Sequence, residues 1–237
     1  MLLSLPQLLT PDEVRQARAS LGLDAPWVDG SSTAGGQAAA LKQNRQLQQD
    51  SETSRGLQAL VARALERDPL FVSAALPRRV LPALFNRYTA PTPGEQATGD
   101  HYGRHVDNAV LRLPAGAGGD WMRGDLSCTV FLSDPQSYDG GELVVHHTLG
   151  ARAFKLPAGH ALLYPASTVH EVTPVTRGER LASFFWVQSL VPDEGQRQIL
   201  FDLDMNLLRL RARHGDSSET TALTGVYHNL LRQWSQL

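Results

Sequence analysis

Between residues 80 and 190 turn residues cut the chain, at close intervals, into short β-prone runs, and that punctuation narrows the folds open to it. The runs are Ala83 to Tyr88, Leu126 to Leu132, Glu142 to His146, Ala161 to Tyr164, Val169 to Val175 and Leu181 to Gln188. Among them stand Pro91-Thr92-Pro93-Gly94, Asp134-Pro135, Asp139-Gly140-Gly141, Pro157-Ala158-Gly159 and Thr176-Arg177-Gly178-Glu179. Their prolines pre-set φ and their glycines reach positive φ, so each favours a reversal of the chain. A parallel sheet needs a long crossover, usually helical, between successive strands. No helical period interrupts these runs, so the core is expected to be an antiparallel sandwich or jelly roll.

Helical periods appear on both flanks. Thr10-Pro11-Asp12-Glu13 reads as a helix start, with Thr10 as cap, Pro11 at the first helical position and Glu13 closing a capping box; the helix should end near Gly22. Leu57, Leu60, Val61, Ala64 and Leu65 recur at helical spacing within Ser51 to Glu66, and Asp68-Pro69 ends the pattern. Asp29 to Gly36 reads as a loop, and the Gln-rich stretch after it, to Asp50, shows no period. Beyond Pro192, Ile199, Leu200, Leu203, Leu207 and Leu210 form a stripe that breaks at His214-Gly215. Asp216 and Glu219 can then cap a last helix carrying Leu223, Val226, Tyr227, Leu230, Leu231 and Trp234. The division expected is an N-terminal helical segment over 1–79 packed on the core, a β core over 80–190, and a C-terminal helical hairpin over 191–237. The apolar stripe of the tail serves either a hairpin docked on its own chain or the interface of a homo-oligomer.

Charge and cysteine content remove several classes. With 22 Lys+Arg against 24 Asp+Glu the formal charge is -2, so no basic excess is available for a nucleic-acid backbone. Cys128 is the only cysteine, which excludes an internal disulfide or a thiolate cluster and fits a reducing cytoplasm. Met1-Leu2-Leu3-Ser4-Leu5-Pro6 lacks the positive leader and cleavage site of a signal peptide. No apolar run approaches the roughly 20 residues that span a bilayer, so no membrane role is expected.

Chemistry concentrates in a few positions. In extended chain, residues i and i+2 share a face, so His105-Val106-Asp107 can offer an imidazole and a carboxylate to one metal ion. His170, in Ser167-Thr168-Val169-His170-Glu171-Val172, can supply a third ligand from a neighbouring strand. Two histidines and one carboxylate leave the opposite coordination positions open, the arrangement of non-haem Fe(II) oxygenases. A His-x-Asp pair alone also arises as an ordinary surface hydrogen bond. Arg180 tips the balance: it follows a tight turn and leads into Leu181-Ala182-Ser183-Phe184-Phe185-Trp186, a buried-strand pattern. A guanidinium there can grip a carboxylate through two parallel bonds, which suits a dicarboxylic cosubstrate.

The chain resembles the PKHD-type hydroxylases, a bacterial branch of the Fe(II)- and 2-oxoglutarate-dependent dioxygenases related to prolyl 4-hydroxylase domains. The resemblance runs through Phe85-Asn86-Arg87-Tyr88, Tyr102-Gly103-Arg104-His105-Val106-Asp107-Asn108-Ala109, Asp125-Leu126-Ser127-Cys128-Thr129-Val130-Phe131-Leu132, Tyr138-Asp139-Gly140-Gly141-Glu142-Leu143 and Tyr164-Pro165-Ala166-Ser167-Thr168-Val169-His170, then to Arg180 and Trp186. It also covers both helical ends. It implies a double-stranded β-helix core, iron on His105, Asp107 and His170, 2-oxoglutarate held by Arg180, and L-ascorbate as reductant. The activity it implies is hydroxylation of a C–H bond with dioxygen, 2-oxoglutarate being decarboxylated to succinate. The substrate is left as a small molecule or peptide, with a link to iron uptake.

Other groups compete with these. His101 and His105 are four apart as in zinc-protease helices, but Tyr102 stands where that motif needs glutamate. His146 and His147 would face opposite sides of a strand, His160 falls at a turn, and His214 and His228 lie in the tail. Tyr102 and Tyr88 can offer phenol hydroxyls to 2-oxoglutarate or substrate, or simply pack. Cys128 reads as a small core residue, and Pro114-Ala115-Gly116-Ala117-Gly118-Gly119-Asp120 as a lid beside the iron rather than a phosphate loop. Two other functions fit the same triad: a non-catalytic jelly-roll module binding a metal or siderophore-like ligand, and a cupin-like metal isomerase or hydrolase.

Overall fold

Two antiparallel sheets face one another in the computed structural model, which describes residues 1–33, 40–92, 94, 97–113 and 121–237, the side chains of 32 and 33 excepted. The glycine-rich run over 114–120, read above as a lid, lies outside the described residues. The larger sheet has eight strands, ordered Leu3–Leu5, Ala161–Pro165, Leu126–Phe131, Glu179–Ser189, Leu84–Thr89, Arg45–Leu47 and Trp27–Asp29, with Pro77–Val80 paired to the long Glu179–Ser189 strand. The smaller has five, ordered Gly150–Phe154, Leu143–His147, His170–Val172, His101–His105 and Lys42–Gln43. This is the jelly-roll core expected from the punctuation. The Val169 to Val175 run is, however, two short strands, His170–Val172 and Val175–Arg177, and the latter pairs with Asp139–Gly140.

Strand alternation sorts side chains between two cores. Along Leu126–Phe131, Leu126, Cys128 and Val130 join the helices on the outer face of the larger sheet, whereas Phe131 packs between the sheets. Leu181, Phe185 and Val187 likewise meet Leu57, Leu60, Val61, Ala64 and Phe71. Each such fully buried apolar side chain stabilises the fold by about 1.5–3 kcal/mol relative to exposure. Tyr88, Leu143, Val145, Leu162, Tyr164, Val172 and Val175 fill the space between the sheets.

The helices follow their caps. Helix α1, Pro11–Ser20, opens on the Thr10/Glu13 capping box. Helix α2, Glu52–Arg67, is capped by Ser51 and buries Leu57, Leu60, Val61, Ala64 and Leu65. Asp68 ends α2 and at once caps α3, Pro69–Ala75, so Asp68-Pro69 starts a helix as well as stopping one. Helices α4, Glu194–His214, and α5, Ser218–Trp234, form the C-terminal hairpin. Ser217 with Thr220 caps α5, in place of the Asp216 and Glu219 expected. Leu200 and Leu207 of the predicted stripe are buried, and Ile199 is exposed. Residues 1–79 give strands to both sheets as well as helices. No helix among the described residues is long and apolar enough to cross a membrane.

Candidate active site

The smaller sheet brings the two candidate histidines together. His105 ends one strand, His170 begins the next, and the two are Cα partners in the register. Asp107 follows His105 by two residues, just past the strand end. One ligand atom from each of His105, Asp107 and His170 lies within 4.8 Å of the others, as one cation requires.

Their orientation is fixed from behind. His105 Nδ1 lies 2.7 Å from the Gly103 carbonyl and His170 Nδ1 lies 2.9 Å from that of Thr168. A carbonyl only accepts, so each Nδ1 carries a proton, and Nε2 is the ring atom left to face a metal. Burial, and then the neighbouring His170, push His105 down to about 4, so it is neutral and ligand-ready in neutral solution. The Ser127 hydroxyl donates to Asp107 Oδ2, and His170 Nε2 stands 3.7 Å from the same oxygen.

Arg180 lines the same cavity and is 2% exposed. Its guanidinium carbon sits 5.1 Å from the Tyr88 ring centroid and 5.5 Å from that of Phe131. Its Nε has no hydrogen-bond partner among the described residues. A buried donor of this kind is costly unless an acceptor arrives, and a carboxylate matches its fork. Gly141, at φ +64, passes beneath it: a Cβ there would lie 3.1 Å from Arg180 Cδ and 3.0 Å from Val175 Cγ2.

Tyr102 is half-buried and stacks on His105, centroids 3.6 Å apart, and burial drives its phenol far above the usual range. Tyr88 is buried beneath Arg180, and Tyr164 meets His170 edge-on at 5.1 Å. Ser127, Thr129, Tyr164, Asn86 and Lys42 also line the cavity, beyond the residues that the sequence motifs indicate. Alternation against the apolar Leu126, Cys128 and Val130 would have marked Ser127 and Thr129 as facing the other way.

The remaining candidates lie elsewhere. His101 is on a strand, its Nδ1 against the Gly99 carbonyl, so no zinc-protease helix exists there. His146 Nε2 pairs with Glu171 at 2.9 Å, His147 is exposed, and His160 sits in the Pro157 turn. His214 and His228 are exposed on the hairpin. Cys128 is fully buried, which pushes its thiol well up and leaves it inert.

One ligand atom from each of two histidines and an aspartate converges on one point of this jelly roll, and the sequence pattern of the 2OG-Fe(II) oxygenase superfamily matches residues 83–188. The pattern of the PKHD-type hydroxylase C-terminal domain matches residues 194–236. The chain belongs to the PKHD-type hydroxylase family: it is 54% identical to a PKHD-type hydroxylase of Verminephrobacter eiseniae and 51% identical to one of Polaromonas sp. (strain JS666 / ATCC BAA-500), each over 99% of both chains. The fold is also that of a Trichoplax adhaerens prolyl hydroxylase solved with a hypoxia inducible factor oxygen degradation domain peptide fragment (TM-score 0.53, 15% identity, 84% of this chain and 86% of that one). The protein is therefore a 2-oxoglutarate-dependent dioxygenase, with Fe(II) as metal, 2-oxoglutarate as cosubstrate and ascorbate as the family's usual reductant. This disfavours the non-catalytic binding module.

Proposed function

We propose that His105, Asp107 and His170 hold the Fe(II), that Arg180 holds the far carboxylate of 2-oxoglutarate, and that the enzyme hydroxylates a C–H bond of a small molecule or peptide. The observation carrying this reading is the convergence of three ligand atoms within 4.8 Å in a cavity also lined by a buried, incompletely bonded guanidinium. The residues fit the groups. Two imidazoles and a carboxylate suit Fe(II), and Arg180 suits a dicarboxylate.

Bound together, metal and cosubstrate would supply the oxidising power, 2-oxoglutarate giving CO2 and succinate as dioxygen is reduced and a C–H bond becomes C–OH. The chain supplies placement. His105 and His170 direct their Nε2 atoms inward because their Nδ1 protons are engaged, and Ser127 restrains the Asp107 carboxylate. Between the rings of Tyr88 and Phe131, Arg180 is screened from water, which strengthens its hold on an anion. Tyr102 serves in this reading as the lateral support of His105, beside the bound cosubstrate. Leu143, Val172, Tyr164 and Phe184 give the cavity part of an apolar wall. A cytoplasmic setting fits the single buried cysteine, and the link to iron uptake belongs to the same proposal through the family resemblance.

The test is anaerobic titration with Fe(II) and then 2-oxoglutarate, followed optically. A metal-to-ligand charge-transfer band that requires both, and oxygen uptake on admitting air, are the expected results. A band that persists in Asp107→Ala would overturn the ligand assignment, and metal binding without oxygen uptake would favour an isomerase or hydrolase.

A further inference from the structure

Tyr138 heads the motif Tyr138-Asp139-Gly140-Gly141, and a turn of that kind makes no use of a phenol. The residue is 1% exposed, and its hydroxyl has no hydrogen-bond partner among the described residues. A hydroxyl buried in this way is costly, and phenylalanine would serve packing equally well without that cost. The ring is firmly held. Lys155 Nζ lies 4.1 Å from its centroid and donates to the Tyr138 carbonyl at 2.6 Å. A Cβ at Gly141 would lie 3.1 Å from Tyr138 Cε2 and 3.1 Å from Arg180 Cδ, so the ring edge beside the hydroxyl and the arginine chain rest against the same glycine. Burial raises the phenol above its ordinary value, and the Arg180 charge is the first cause opposing that rise.

Arg180 presents the complementary gap, for its Nε also has no partner among the described residues. The rings of Tyr88 and Phe131, with centroids 5.1 and 5.5 Å from the guanidinium carbon, attract the cation. Ring surfaces are indifferent to how a guanidinium turns in its own plane, so they do not choose which N–H pair meets a ligand. A hydrogen bond at Nε does choose, because the five donors are fixed relative to one another in one planar fork. The Tyr88 hydroxyl already accepts from Asn86 Nδ2 at 3.2 Å. Tyr138 offers an oxygen whose lone pairs are unused.

We propose that Tyr138 is the positioning residue of the cosubstrate anchor: its hydroxyl oxygen accepts from Arg180 Nε once an anion draws the guanidinium into place, and so turns the Nη edge toward the far carboxylate of 2-oxoglutarate. The inference rests on the reading that Arg180 holds that carboxylate. Tyr138 acts through Arg180 and does not touch the cosubstrate. The cavity wall agrees, since Arg180 is part of it and Tyr138 is not. Two parallel bonds from a guanidinium to a carboxylate demand orientation, which is what a fixed Nε supplies.

The probes are 2-oxoglutarate and 2-oxopentanoate, which has the same chain length and keto-acid end but no far carboxylate. Each is titrated anaerobically into the Fe(II)-loaded protein and followed by the charge-transfer band, so the ratio of the two affinities reads the far-carboxylate contact alone. In Tyr138→Phe that ratio should fall about tenfold, as for one hydrogen bond to a charged group, with 2-oxopentanoate binding unchanged. In Arg180→Gln the ratio should collapse, and adding Tyr138→Phe should lower it no further. A ratio untouched by Tyr138→Phe, equal weakening of both probes, or the same fall with and without Arg180 would overturn the proposal alone. If Arg180→Gln leaves the ratio intact while 2-oxopentanoate still gives the band, the assignment of Arg180 fails and this inference with it. No band with either probe in the wild-type chain counts against the oxygenase reading as a whole.

Discussion

His105 and His170 are Cα partners on neighbouring antiparallel strands, and their ring centroids stand 4.2 Å apart. Directly opposed residues are the closest pairs a sheet can offer, so strand register delivers two imidazoles to one point without a loop having to find it. Each ring is then turned by the carbonyl two residues before it, Gly103 for His105 and Thr168 for His170. If the three side chains hold Fe(II) as proposed, removing one leaves only two protein donors. In His105→Ala, Asp107→Ala or His170→Ala, Fe(II) affinity should fall more than about 100-fold, beyond the range of outer supporting residues. Equilibrium dialysis under anaerobic conditions checks this, with circular dichroism to show the sheet intact.

In the proposed site Ser127 would act one step further out, as a positioning residue. Its hydroxyl donates to Asp107 Oδ2 from the central Leu126–Phe131 strand. Ser127→Ala frees that carboxylate to rotate and should cost roughly 10–100-fold in Fe(II) affinity. Ser127→Thr retains a donor and should recover most of it. A loss equal in both variants would mean that packing, not the hydrogen bond, is at work.

Arg180 and Gly141 should affect the cosubstrate alone. In Arg180→Lys the charge survives and the planar fork does not, so the KM for 2-oxoglutarate should rise about tenfold or more while the Fe(II) affinity holds. Gly141→Ala adds a methyl 3.1 Å from Arg180 Cδ at a backbone φ of +64. It should therefore raise the same KM in the same direction, with some loss of thermal stability from backbone strain. Initial rates of succinate formation at varied 2-oxoglutarate, with iron saturating, distinguish a KM effect from a loss of turnover.

How much of this is legible in the sequence depends on what each signal measures. Leu126, Cys128 and Val130 announce a strand because an apolar face repeats every second residue, and Thr10 with Glu13 announces a helix through its cap. The triad is legible because His105 and Asp107 share a face and His170 lies in a β-prone run. Residues 42–47 escape the same reading. Lys42, Asn44 and Gln46 also alternate, but they are polar, and they are buried because they cross between sheets beside a cavity. A hydrophobic pattern cannot reveal a polar strand whose burial is set by partners about 40 and 60 residues away. Asp68-Pro69 is ambiguous for a related reason: a proline that stops one helix is equally suited to start the next.

The capping box of α1 predicts a pH signature away from the active site. Glu13 accepts from the Thr10 backbone and from the Arg67 guanidinium, which ties α1 to the end of α2. The Arg67 hydrogen bond is the main cause holding the Glu13 carboxyl down to about 2 from 4.5. Because the folded-state value is depressed, the stabilisation is fully present above the unfolded value and is lost as pH falls from about 4.5 toward 2. Arg67 is 44% exposed, so solvent screening reduces the contribution to about 1 kcal/mol. Glutamine can still close the capping box, so Glu13→Gln removes the charge and little else. At pH 7 the variant should melt a few degrees below wild type, and the gap should shrink as pH drops below 4.5. Thermal melts across that window decide it; no gap at pH 7, or a gap that stays constant from pH 7 to pH 3, would mean that the Glu13 charge contributes nothing to the link between α1 and α2.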